Sequence, residues 1–187
     1  MYKKLFLLLF GLIAHPEKTW EELSENQQKD QEEFYKSYLY PILGIIALCA
    51  FVGVLLSRKE FEVAIALKTL IKDILAYFGA FYASSYIITK LLSSYFHYPA
   101  TRQLSERFVG YSSALMYLVA MLYSLFPSFF FLQIILLYAI YIIWQGTVYY
   151  LKLDETNWVK FTIFASVSII LMPGILTFLI SLIMPGL

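Results

Sequence analysis

Residues 108–150 read FVGYSSALMYLVAMLYSLFPSFFFLQIILLYAIYIIWQGTVYY, a run of 43 residues without a formal charge. A single helix of that length would reach about 65 Å. A bilayer core is only about 30 Å thick, so one straight span cannot absorb the run. It has to turn back, and Pro127 is the one strong helix breaker near its middle. The sequence therefore predicts two antiparallel membrane helices, 108–126 and 128–150, joined by a tight Phe126-Pro127-Ser128 turn at the outer interface. Pro127 would stop the first helix, and Ser128 would cap the second.

The rest of the chain is of the same kind. Apolar residues make up 60% and charged residues 14%, outside the range of soluble globular domains. The 187 residues suffice for one membrane domain of four to six spans. A net charge of +1 offers no basic field, which argues against nucleic acid as a partner. The one cysteine, Cys49, sits in an apolar run and can form no intrachain disulfide.

In chain order, residues 1–14 combine Lys3 and Lys4 with ten mostly apolar residues. A cleaved signal would want a small residue where Leu12 stands, so the preferred reading is a retained helix that lies in the interface or re-enters the bilayer. Residues 15–37 follow as HPEKTW and an acidic, water-facing stretch, with Trp20 as a headgroup-level anchor. Together 1–37 form an N-terminal segment, and 38–187 form the membrane domain. Its expected spans are 38–56, 74–92, 108–126, 128–150 and 161–184. The turn SRKEFE, 57–62, lies on the far side. Lys68, Lys72 and Asp73 precede the second span; they read as an interfacial entry turn, with a buried Lys–Asp relay as the sharper alternative. The last span carries Met172-Pro173-Gly174, which should kink it. Trp158, in the loop before it, is a second interfacial anchor. The fold expected is all-α: a polytopic bundle of five transmembrane helices with a short N-terminal interfacial or re-entrant helix. The N-terminal side collects nine Lys and Arg (Lys3, Lys4, Lys18, Lys29, Lys36, Arg102, Arg107, Lys152, Lys160), against at most four on the other (Arg58, Lys59, Lys68, Lys72). That asymmetry places the N-terminus in the cytoplasm and the C-terminus outside.

HPEKTW, the first span YLYPILGIIALCAFVGVLL, the GYSSA near the start of the third, and IIWQGTVYYLKLDETNW of the fourth and its loop occur in an order that resembles the bacterial-type branch of the Yip family. The resemblance covers nearly the whole chain. It implies five spans, a cytoplasmic N-terminus and residence in a bacterial inner membrane. The family is named for eukaryotic proteins that bind prenylated Ypt/Rab GTPases. The Asp-Leu-Tyr-Gly-Pro motif and long cytoplasmic region of those members are missing here, so binding of Rab-type GTPases does not carry over.

Catalytic chemistry finds little purchase. The two histidines, His15 and His97, fall in polar or interfacial stretches, and no Gly-x-Ser-x-Gly nucleophile accompanies them. Glu32-Glu33 lacks the later histidines of a glutamate-based membrane protease. No clustered metal ligands, no phosphate loop and no cofactor motif are present. The distinctive feature is tyrosine, 16 in all. Tyr82, Ser85 and Tyr86 gather in the second span, Tyr111 and Ser112 in the third, and Tyr138, Tyr141 and Gln145 on one face of the fourth. A hydroxyl or amide in lipid needs a partner, so these should face other helices, as interhelical hydrogen bonds or as the lining of a polar pocket. The functional expectation is a non-catalytic membrane protein that organises lipids, other membrane proteins or copies of itself. The alternative is a small carrier or channel-like transporter using the tyrosine-rich pocket.

Overall fold

The structure is a computed structural model and describes residues 2–26, 30–57, 63–129 and 131–183. Among these residues the only regular structure is helical. Helix α1 (Tyr2–Ala14) and helix α2 (Pro16–Glu25) form a pair that turns at His15, with Pro16 at the first position of α2, where its missing N–H costs nothing. A short α3 (Gln31–Phe34), capped by the Asp30 carboxylate accepting from the Glu32 N–H at 3.2 Å, flows through residues 35–39 into α4 (Tyr40–Ser57). Next come α5 (Val63–Lys90), α6 (Arg102–Ser112), α7 (Ala114–Leu125), α8 (Leu132–Ile135), α9 (Tyr138–Gln145) and α10 (Glu155–Ile183). At the ends of α3, α5 and α9 the backbone opens by one residue into i to i+5 hydrogen bonds: Tyr40 N–H to Tyr35, Phe96 to Leu91 and Leu151 to Gly146.

Helices α4, α5, α7 and α10 pack as a bundle, and α9 lies along α10. The hairpin expected in 108–150 is present: Leu115 and Val119 pack against Ala139 and Ile142, while Phe108 reaches Gly146. Its details differ from the sequence expectation. The first arm begins at Arg102, because Thr101 accepts from the Leu104 N–H at 3.2 Å and caps it. It then bends by 46° at Ser113. The turn closes with Phe129 N–H to the Phe126 carbonyl at 3.0 Å, around Pro127-Ser128. The second arm starts at Leu132 rather than at Ser128. Phe131 precedes it without a side-chain cap, so Ser128 serves the turn and not the helix.

Among the described residues three helical segments are long and apolar enough to cross a membrane, Gln31–Leu56, Leu132–Tyr150 and Glu155–Ile183, or four if the bent α6–α7 pair is one span. Helix α5 is not one of them; it is a single helix from Val63 that carries Lys68, Lys72 and Asp73 along with the apolar stretch expected at 74–92. Helix α10 runs through Pro173 without a break and extends the expected 161–184 span at its N-terminal end. The far-side turn at 58–62, with Arg58 and Lys59, lies outside the described residues, as do Lys29 and position 184.

The tightest crossing is between α4 and α7. A Cβ at Gly53 would overlap the Ser124 carbonyl oxygen, a backbone atom with no rotamer to escape into, whereas one at Gly44 meets nothing within 4 Å. Small residues permit such approach in membrane bundles. Gly53→Ala should therefore destabilise the detergent-solubilised protein by about 2–3 kcal/mol. Gly44→Ala should leave it unchanged or gain up to about 1 kcal/mol. Thermal melts that fall together for the two variants would refute the close crossing.

Candidate functional site

Trp20 is the pin that fixes the N-terminal pair to the bundle. Its side chain is 0% exposed, and its indole N–H donates to the Ile142 carbonyl at 3.0 Å. Rings of Phe108, Tyr111 and Tyr150 surround it at centroid distances of 5.7, 6.0 and 5.2 Å. Gly146 is needed beneath it, since a Cβ there would stand 2.7 Å from the Trp20 ring. Trp20 is thus a core residue and not the headgroup anchor expected from sequence: an amphipathic ring with one N–H is equally suited to a buried carbonyl. Trp158 is half-buried and meets the exposed Trp144 edge-on at 6.3 Å. Tyr138 donates to the Ile13 carbonyl at 3.0 Å and so holds the end of α1.

At the same end of the bundle a polar network is built from α3 and α6, two elements whose sequences show no sign of one another. Glu106 is 3% exposed. Its Oε2 accepts from Tyr35 Oη at 2.6 Å and from Gln31 Nε2 at 3.0 Å, and its Oε1 accepts from Arg102 Nε at 2.8 Å. Arg107, 7% exposed, donates from Nε to Gln31 Oε1 at 2.8 Å. One amide thereby links the buried carboxylate to the buried guanidinium. Arg102 is exposed and also lies over the Tyr82 ring at 5.9 Å. Tyr98, in the loop before α6, packs on the same core, and burial pushes its phenol above the ordinary range, so it adds no charge here. Residues 102–107 fall between the spans expected at 74–92 and 108–126, and this concealed the cluster. The signals were Thr101 as a helix cap and Arg102–Glu106 at i, i+4.

Arg107 also lines a cleft of about 520 Å³ enclosed by α1, α2, α3 with the wide turn after it, and α6. Lys4, Glu22, Asn26, Asp30 and Glu33 stand around it, and Leu5, Leu8, Leu23, Phe34 and Tyr38 give it an apolar floor. Of the eight polar residues singled out from the sequence, Tyr111 lines this cleft. The others are distributed elsewhere. Ser85 donates to the Phe81 carbonyl of its own helix, Tyr86 points outward beside Lys90, and Tyr138 and Tyr141 lie against one another on an exposed face. Gln145 and Tyr82 are half-buried. Ser112 is fully buried with its hydroxyl unpaired. No cavity described here gathers two of them. Among the described residues no cluster of His, Cys, Asp and Glu has the arrangement of a metal site.

The Yip1 domain family model matches residues 10–184, from the middle of α1 to the end of α10. The chain belongs to the Yip1 family. No curated protein and no solved structure matches it. The Yip1 domain and the long apolar helices together make it an integral membrane protein, and its match begins within the N-terminal pair that Trp20 pins.

The site depends on two contacts that can be removed separately. Trp20→Phe keeps the ring packing and loses one hydrogen bond, about 1 kcal/mol; Trp20→Ala should cost about 3–5 kcal/mol. Glu106→Ala strips three donors of their acceptor and should also cost about 3–5 kcal/mol. Denaturation of the purified protein measures all three, and a Glu106→Ala variant as stable as the parent would show that the network carries no weight.

Proposed function

We propose that this Yip1-family protein is a non-catalytic organiser of the bilayer, holding lipids or other membrane proteins, further copies of itself included, at its polar end. The observation that carries this reading is the state of Glu106. A buried carboxyl group whose two oxygens already accept from Tyr35, Gln31 and Arg102 acts as a structural tie and leaves little room for a substrate. The carrier alternative draws less support, because a pathway needs polar side chains that converge, and Tyr86 and Tyr141 are exposed while Tyr138 spends its hydroxyl on the Ile13 carbonyl. Without the motif noted above, Rab-type GTPases are not among the partners proposed.

The reading includes five spans, a cytoplasmic N-terminus and a bacterial inner membrane. Helix α5 supplies the fifth span: its charges Lys68, Lys72 and Asp73 fall in its first three turns, and the apolar run from Ile74 follows. The α1–α2 pair acts as a re-entrant hairpin, since the end of α1 meets Tyr138 and packs with Leu115, Val119, Ala139 and Ile142 of the third and fourth spans. The excess of Lys and Arg on the N-terminal side supports the orientation.

Topology is testable directly. In a Cys49→Ser background, Glu25→Cys should react with impermeant thiol reagents from the cytoplasmic side alone, and Lys59→Cys from the outside alone. Reaction of both from one side removes the five-span arrangement. Native mass spectrometry of the gently extracted protein should show bound lipid or protein neighbours. A bare monomer under those conditions would count against the organising role.

A further inference from the structure

The cleft between the N-terminal pair and α6 has a lining that constrains its occupant. Two cations, Lys4 and Arg107, face the same space as three carboxylates, Glu22, Asp30 and Glu33. A purely anionic ligand would meet the carboxylates, and a purely cationic one would meet Lys4 and the buried Arg107. A ligand with both charges a few bonds apart satisfies both sets. Arg107 is preorganised for the anionic part, because Gln31 holds its Nε and burial restricts its swing; guanidinium and ammonium groups are the usual partners of a phosphate. A volume of about 520 Å³ is in the range of small-ligand sites.

One wall of the cleft is suited to hydrocarbon. Helix α1, which forms one wall, buries Leu5, Leu9 and Leu12 against the protein and presents Tyr2, Phe6, Leu7 and Phe10 outward. A helix apolar on both faces, with Lys3 and Lys4 at its start, suits the boundary between headgroups and acyl chains. Leu5, Leu8, Leu23 and Phe34 continue the apolar surface into the cleft itself.

We propose that this cleft binds the headgroup of a zwitterionic phospholipid, its phosphate at Lys4 and Arg107 and its ammonium at Glu22, Asp30 and Glu33, with the acyl chains leaving along α1. The assignment rests on the organising role proposed above and names the lipid class at its polar end.

The test uses the full chain in mild detergent micelles carrying equimolar phosphatidylethanolamine and phosphatidylglycerol, read by native mass spectrometry. The wild type should retain phosphatidylethanolamine over phosphatidylglycerol by about tenfold, the scale of one charge-assisted contact. Glu22 and Glu33 are exposed and stand outside the Glu106 network, so the double variant E22Q/E33Q should fold and retain the two lipids equally. Lys4→Gln should weaken both. No preference in the wild type, or an undiminished preference in the double variant, overturns the proposal. Soluble glycerophosphoethanolamine at the same concentration should fail to displace the lipid; equal competition would overturn a lipid as the occupant. Thiol labelling separates the two levels: a correctly oriented protein without lipid preference sinks this assignment and leaves the topology standing.

Discussion

The carbonyl of Ile142 is the point at which the buried Trp20 joins the N-terminal pair to the bundle. It accepts from the Gly146 N–H within its own chain segment and from the indole of Trp20, which lies 122 residues away. A carbonyl has two lone pairs, so the second bond costs the helix nothing. It does require that the indole come close, and this is why position 146 has no side chain. With Trp20 seated, α2 lies along the end of α9, α1 folds back beside α7, and the space left between them and α6 becomes the charged cleft. Without that contact the N-terminal pair would keep its apolar stripe and two tyrosine hydroxyls, Tyr138 on the Ile13 carbonyl and Tyr149 on the Glu17 carboxylate, to hold it in place.

The second element of order is the Gln31 amide. It donates to Glu106 and accepts from Arg107, adjacent residues of opposite charge on α6. An amide can serve both because it carries donor and acceptor on one carbon. The arrangement occupies the acceptor oxygens of Glu106 that a chemical role would need free, and it holds Arg107 at the cleft wall. Network and cleft are therefore one construction: the first sets the position of a cation that the second presents.

Much of this fold is legible in the residues. The uncharged run 108–150 forces a reversal at Pro127, and Leu115, Val119, Ala139 and Ile142 pack as such a hairpin requires. The helical class and the family follow from apolar length and the order of short segments. The site is less visible. Periodicity tells which residues share a face and is silent on what that face meets. Tyr138 and Tyr141 share one, and it lies at the surface; Ser85 shares another and spends its hydroxyl on its own helix. Trp20 was ambiguous for the same reason, since its chemistry suits an interface and a core alike. Gln31 and Glu106 are joined across 75 residues, and nothing local to either sequence announces the other.

The three places where the helices open by one residue, at 35–39, 91–95 and 146–150, are joined by ring contacts: Phe96, Phe161, Phe108 and Trp20 lead from the second to Tyr150 of the third, and Tyr111 leads from Trp20 to Tyr38 of the first. An inserted residue turns everything beyond it by about 100° around the helix axis. At 35–39 the helix continues, so α3 and α4 are two pieces with separate angular phase, whereas at 91–95 and 146–150 the wide turn ends the helix and sets the direction in which the chain leaves. At 35–39 the backbone irregularity acts as a rotary coupling. Deleting one residue there would return that helix to regular winding and turn one of its ends away from the partners it now meets, while leaving its length almost unchanged.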